Sequence, residues 1–368
     1  MLTKRERQIL GWIKANPSIS QREIAERAQI TRSSVAVHIS NLIKKGAILG
    51  REYIISDRPY VVVIGGANMD VAGKPDVTLI PHDSNPGTVR MSPGGAGRNV
   101  AHNLALLGCD VKLISAFGDD ARGRDLAESC RRAGIDVNDS VTMPGATTSS
   151  YVFIMNEQGE MQLAVADMKI FDRLVPATLE RRLDVIDRAA ICVVDTNIPK
   201  ESLSYLAKKV TVPLFCDPVS TAKAVKLKGI LGRIDTLKPN LLEAEALSGV
   251  PITDDDSLRL AAKTLLRTGL KRVFISLGDG GIYCADHETE LKLPTIAHNV
   301  VNATGTGDTM MAAIAWASLM GGGLTEAGAA GLAAAAVCAE SPETISPYLT
   351  TEGIRRRIDA AGLSNMEK

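Results

Sequence analysis

Near the C-terminal end stands Asn302-Ala-Thr-Gly-Thr-Gly-Asp308, running straight into the helix-forming stretch Thr309-Met-Met-Ala-Ala-Ile-Ala-Trp316. Two glycines at the mouth of a helix leave backbone N–H groups unshielded at the positive end of the helix dipole. Such a turn can hold the charge that builds on a phosphoryl group in transfer. Asp308, one residue beyond, can take the proton of an attacking hydroxyl. The same pattern is also an ordinary turn with an acidic first-turn residue.

Three further segments carry chemistry. Pro93-Gly-Gly-Ala-Gly-Arg-Asn99 opens a helix with a glycine cluster, whose backbone can approach substrate hydroxyls closely or pack against another helix. In Lys238-Pro-Asn-Leu-Leu-Glu243, Asn240 and Glu243 have the spacing of a helix cap. The same pair can order the water shell of a magnesium ion on nucleotide phosphates. Ser276-Leu-Gly-Asp-Gly-Gly281 ends a strand in a glycine turn, so Ser276, Gly278 and Gly280 are candidates to lie against ATP.

These segments need a frame. Apolar runs at 61–66, 111–117, 189–195, 212–217, 235–240 and 272–278 alternate with amphipathic stretches. That rhythm predicts an α/β fold, a parallel sheet covered by helices on both faces. Residues 71–91 and 147–165 break it with short strand-like alternation, and are expected to form a small β lid beside the site.

The first 57 residues read differently. Helical patterns cover about 4–15, a second segment opening at Ser20 with Glu23 in capping-box spacing, and a third from Thr31 that is expected to bury Val35, Ile39, Leu42 and Ile43. A short hairpin is expected over 47–55, then a linker at 57–59. The order resembles a winged helix-turn-helix. Its recognition helix, Thr31–Lys45, presents Arg32 and Ser33 to a DNA groove, with Lys44, Lys45 and Arg51 for phosphates. A domain kept only for packing or dimerisation is the alternative. Charge favours DNA: residues 1–58 hold eleven Lys/Arg against five Asp/Glu, while the whole chain is neutral.

Taken jointly and in this order, the body segments resemble the PfkB carbohydrate kinase family, with its GG-x-G-x-N and D-T-x-G-x-G-D signatures, over about 300 residues from Tyr60 onward. The resemblance implies a ribokinase-like three-layer sandwich with a β lid over residues 58–368, and ATP, Mg²⁺ and a monovalent cation such as K⁺ as cofactors. It makes Asp308 the base, and Gly305, Thr306 and Gly307 the anion hole. Asn68 and Asp70 would hold sugar hydroxyls with Gly95 and Asn99, although Asp70 also suits a strand-end turn. Asn302 and Thr304 fall at the cation position. Asn302 stands where the signature has Asp, and Thr306 where it usually has Ala.

Ser84-Asn-Pro-Gly87, Asp217-Pro-Val-Ser220, Thr236-Leu-Lys-Pro-Asn240 and Asn302 resemble the pseudouridine kinase subfamily. The expectation is ATP-dependent phosphorylation of a nucleoside 5′-hydroxyl, that of pseudouridine. The alternatives are a kinase of another nucleoside or sugar, and a transcriptional regulator using the kinase fold as a ligand sensor. Pseudouridine's C-glycosidic link frees a ring N–H, for which Asn197, at a strand end, is the candidate acceptor. Six scattered cysteines without CxxC spacing, and no signal-peptide pattern, point to reduced thiols in the cytoplasm and no membrane partner. Lid pairing and the helix-turn-helix favour a homodimer.

Overall fold

The computed structural model describes residues 2–49 and 59–363. The chain divides into two compact units, Met1–Pro59 and Tyr60–Lys368.

In the first unit, α1 (Lys4–Ala15), α2 (Gln21–Ala28) and α3 (Arg32–Lys44) close around Ile9, Ile13, Ile24, Val35 and Leu42. Thr3 with Glu6 and Ser20 with Glu23 form reciprocal capping boxes, and Thr31 caps α3 by accepting from the Ser34 N–H. Ile43, expected in this core, is 45% exposed. It follows buried Leu42, and a step of about 100° around the helix carries it off the apolar face. The expected hairpin beyond Leu49, Arg51 within it, and the linker residues Asp57 and Arg58 lie outside the described residues.

The second unit is built on one nine-stranded sheet. Strands β1 (Tyr60–Ile64), β4 (Asp110–Ile114), β6 (Ile135–Asp136), β10 (Ile191–Asp195), β11 (Leu214–Asp217), β12 (Thr236–Leu237) and β13 (Arg272–Ser276) run parallel. At one edge β14 (Ile282–Ala285) and β15 (Glu290–Leu293) return antiparallel, giving the order β15-β14-β13-β12-β11-β10-β1-β4-β6. Every apolar run that suggested a central strand is in this sheet. Successive residues of β1 serve opposite faces, as a strand requires. Val61 and Val63 join the core under α4 (Ala96–Leu106), α5 (Ala121–Arg132), α12 (Thr306–Leu319), α13 (Leu324–Ala339) and α14 (Thr351–Ala360). Val62 and Ile64 join the other core, under α6 (Pro176–Glu180), α7 (Leu183–Ile186), α8 (Lys200–Lys209), α9 (Thr221–Ala224), α10 (Leu241–Ser248) and α11 (Asp255–Leu266). The result is a ribokinase-like three-layer sandwich. Among the described residues no helix is long and apolar enough to cross a membrane.

A second sheet of four strands has the order β3 (Gly87–Gly94), β2 (Asn68–Pro75), β8 (Ser150–Met155), β9 (Met161–Asp167). A two-stranded pair, β5 (Ala116–Gly118) with β7 (Val141–Met143), completes the topology. The neighbours of β1 are β4 on one side and β10 on the other, so connections diverge at its C-terminal end. A crevice forms at such a point.

Candidate active site

Gly305 caps α12 with φ of 83°. A Cβ there would stand 2.4 Å from the Thr344 carbonyl oxygen, so both conformation and space require glycine. The first-turn N–H groups that follow have no partners within the helix. Thr306, Gly307 and Asp308 line a cavity of about 800 Å³. Burial pushes the Asp308 carboxyl up to about 7, helped by the carboxylates of Asp217 and Asp195 and opposed by a bond from Asn99 and the Lys238 ammonium. An acid poised near neutrality suits a general base.

The turn after β1 is organised by a residue that the sequence did not single out. Asp195, buried at the end of β10, accepts through Oδ2 from the N–H groups of Gly66 (2.7 Å) and Gly97 (2.8 Å). Its Oδ1 accepts from the Asn197 N–H at 2.8 Å. One carboxylate thus ties the end of β1, the start of α4 and its own strand. Gly95 caps α4 with φ of 101°, and a Cβ there would meet the Gly66 carbonyl oxygen at 2.5 Å. Beside it, buried Asn68 donates from Nδ2 to Asp70 Oδ1 at 2.6 Å. Asp70 can approach only because residue 94 is glycine: a Cβ would lie 2.2 Å from its Oδ2. Burial raises the Asp70 carboxyl, and the Asn68 bond and Arg98 charge hold it back.

Asn197 also lines the cavity, packed against Gly66, and Lys223 Nζ donates to its Oδ1 at 2.5 Å. An ammonium only donates, so this bond fixes the amide orientation and turns Nδ2 toward Gly66 and the Asp195 carboxylate. The bond engages one of the two lone pairs of Asn197 Oδ1, the candidate acceptor of a ring N–H.

Asn240 and Glu243 realise the cap. Glu243 N–H donates to Asn240 Oδ1, and Asn240 N–H donates to Glu243 Oε2, both at 2.9 Å. Burial raises the Glu243 carboxyl. Lys238, just upstream, is 4% exposed and pairs with Asp217 at 3.2 Å. Its Nζ also stands 3.4 Å from where a Gly307 Cβ would be. Val219 is held at φ of 62°, an uncommon conformation for a β-branched residue, with its N–H on Asp217 Oδ1. Asn302 spends its amide within the turn, accepting from the Thr304 N–H and donating to the Pro342 carbonyl.

The cavity gathers Asn68, Asp70, Gly95, Asn197, Asn240, Glu243, Ser276, Gly278, Thr304, Thr306, Gly307 and Asp308. Asn99, Gly280, Asn302 and Gly305 stand outside its lining. Asn99, expected on sugar hydroxyls, is buried and donates one N–H to Asp308 Oδ2, while its Oδ1 has no partner. Sequence reasoning missed Tyr151, Met168, Asp217, Lys223 and Lys238 as lining residues. Asp217 at a strand end and Lys238 beside Asn240 carried the only signal. In the N-terminal unit Arg32, Ser33 and Lys44 are exposed. Lys45, expected on DNA phosphates, reaches both carboxylate oxygens of buried Glu6, at 3.0 and 2.9 Å.

Residues 58–351 match the family described as pfkB family carbohydrate kinase, and residues 2–48 match winged helix-turn-helix DNA-binding. YeiI of Escherichia coli K12, described as an uncharacterized sugar kinase, is 38% identical over 353 residues, 95% of this chain and 98% of its own length. A pseudouridine kinase of the same strain is 42% identical over 262 residues, 70% of this chain and 83% of its own. A solved carbohydrate kinase from Agrobacterium tumefaciens shares 30% identity with a TM-score of 0.73, covering 83% of this chain and 97% of that one. The family match runs through every segment that builds the cavity: the chain belongs to the pfkB family of carbohydrate kinases, with a winged helix-turn-helix ahead of its kinase fold.

Proposed function

We propose that the chain transfers the terminal phosphoryl group of ATP to the 5′-hydroxyl of a ribonucleoside, pseudouridine. The observation that carries this reading is one cavity in which an acid titrating at about 7 beside a glycine-capped helix shares space with the Asn68–Asp70 pair. Asp308 takes the hydroxyl proton as the substrate oxygen bonds to phosphorus and the bond to ADP breaks. Donors of the Gly305–Gly307 turn meet the charge on the transferring group. The ring of a bound nucleoside lies toward Asn197 and Lys223, where the Asn197 carbonyl oxygen can accept a ring N–H and a remaining Lys223 N–H suits a ring carbonyl. The 42% identity to a pseudouridine kinase supports this choice of base.

Among the described residues no three acidic, histidine or cysteine side chains cluster to hold a metal. A magnesium ion therefore fits as one carried by water and phosphate near Asn240 and Glu243, where it neutralises nucleotide charge. The cap occupies only one Glu243 carboxylate oxygen. For K⁺, the turn at Asn302 and Thr304 is the candidate, checked by turnover in potassium against sodium salts. ATP lies along Ser276 and Gly278. The N-terminal unit binds DNA through α3.

On the outer face of the four-stranded sheet, Val89 and Met91 of edge strand β3 and Leu163 and Val165 of edge strand β9 are all more than half exposed, in line through the paired positions of β2 and β8. A second copy of the chain is the partner we assign to this apolar face. Sedimentation of wild type against Leu163→Asp tests it: a monomeric wild type rejects the dimer.

The deciding experiment measures kcat/KM for pseudouridine, uridine, ribose and fructose 6-phosphate with ATP. Pseudouridine should lead. A better free sugar would overturn the subfamily choice, and no turnover with any of them would favour a ligand-sensing regulator.

A further inference from the structure

In the N-terminal unit α2 turns into α3 at Gln29, which ends α2 in the left-handed conformation at φ of 53°. Val35, Ile39 and Leu42 hold α3 on the core. On the side away from them, Ser33, Val37, Ser40 and Lys44 follow at four- and three-residue steps and so share one face. All four are exposed, and Val37, in the middle of that face, is 59% exposed. Ala36 borders it. The helix contains no acidic residue, and its arginine and lysine, Arg32 and Lys44, are its first and last residues.

Charge and length fit this face to duplex DNA. At 1.5 Å per residue Arg32 and Lys44 stand about 18 Å apart, and a major groove about 12 Å wide puts a phosphate strand within reach of each long side chain. What lies between them decides which bases are read. Base pairs are told apart in that groove by paired hydrogen bonds from long polar side chains, or by apolar contact with the methyl group of thymine. The middle of α3 exposes no side chain of the first kind. His38 and Asn41 are half-buried at the flank. Serine hydroxyls bond to any base, and that of Ser33 already meets Thr31 Oγ1 at 2.9 Å. A single exposed valine needs no explanation on an ordinary surface helix. On this face it is the selective contact that remains.

We infer that Val37 is the specificity-determining residue of the N-terminal unit, covering the C5-methyl groups of thymine in the major groove while Arg32 and Lys44 hold phosphates at either end. This rests on the DNA-binding reading of that unit and adds which bases the unit selects. Ala36 widens the apolar contact, and the two serines accept whatever edge stands beside it.

The full chain is used to select its preferred duplex from a random pool. Each thymine of that duplex is then replaced singly by deoxyuridine, which removes the methyl group and keeps the pairing edge. Wild type should lose roughly four-fold in affinity for each methyl that Val37 covers, the effect of burying one methyl-sized apolar group. Val37→Ala should bind the parent duplex more weakly and be indifferent to uracil at those positions. Ile43→Ala, exposed but off this face, should keep the full uracil effect. Each variant is checked for its melting temperature. The log–log salt slope should be the same in all three proteins, since no phosphate contact changes. A selected site that tolerates uracil at every thymine, with salt-dependent binding intact, would overturn this inference and leave the DNA reading standing. An equal uracil effect in Val37→Ala would also overturn it. Absence of duplex binding at low salt would overturn both.

Discussion

Alanine at the two glycines of the α12 mouth should act in two different ways. At Gly305 the backbone is left-handed, which costs a residue with a Cβ about 1–2 kcal/mol. The new carbon would also stand 2.4 Å from the Thr344 carbonyl oxygen and 2.7 Å from its methyl carbon. Relieving that overlap costs about 1–3 kcal/mol more. For a unit of this size, the sum lowers the melting temperature by on the order of 10 °C. At Gly307 nothing comparable happens: the nearest atom is Lys238 Nζ at 3.4 Å, an ordinary contact. A helical glycine replaced by alanine even gains up to about 1 kcal/mol. Its methyl, however, enters the cavity where the phosphoryl group would sit, and misplacement of about 1 Å there costs roughly 100-fold in rate. Thermal denaturation and a coupled ADP-release assay separate the two. Gly305→Ala should lose stability and activity together; Gly307→Ala should lose activity alone. Wild-type turnover in Gly307→Ala would show that the phosphoryl group does not pass this turn.

Asp308→Asn should lower kcat by about 10²–10⁴ while calorimetry still finds nucleoside binding. Because the ionised form acts, wild-type kcat should rise with pH through about 7 and then level off; a flat profile from pH 5 to 9 would remove Asp308 as the base. Asp70→Ala should cost roughly 10–100-fold in kcat/KM for ribosyl substrates, corresponding to about 1–3 kcal/mol for unpaired hydroxyls, and equal activity would clear Asp70 of substrate contact. The N-terminal unit should bind duplex DNA with a log–log salt slope of about −0.9 per phosphate contacted, weakened by Arg32→Ala. Lys45→Ala should lower the melting temperature of that unit by stranding buried Glu6, and deleting residues 1–57 should leave kinase turnover unchanged.

The frame was legible because its signals are local. Each central strand is a run of apolar residues ending at a turn, and each cap that was read from Ser20 or Asn240 depends on a residue three positions away. Asp195 was not legible. Its partners Gly66 and Gly97 lie 129 and 98 positions distant, and only the sheet order brings them together. Lys223 was invisible for the same reason, and its bond fixes how the Asn197 amide is turned. The bond from Asn99 to Asp308 was not legible either, since nothing in the motif says that α4 packs on α12. Lys45 and Ile43 failed more narrowly. A basic residue after a recognition helix reads as a phosphate contact until the fold shows a buried carboxylate beneath it.

The charges around the cavity also explain why a nucleotide could not enter alone. Asp70, Asp217, Glu243 and Asp308 line it against only Lys223 and Lys238. Lys238 is paired with Asp217, so its charge is already matched within the protein, and Lys223 has one N–H on Asn197. The positive end of α12 offers only about half an elementary charge. A polyphosphate carrying several negative charges would meet a cavity that is itself acidic once Asp308 ionises. The same carboxylates that lift Asp308 toward neutrality therefore require the donor to arrive with its own counter-charge. On the proposed kinase reading, that requirement, rather than a cluster of ligating side chains, would tie this site to a magnesium–nucleotide complex.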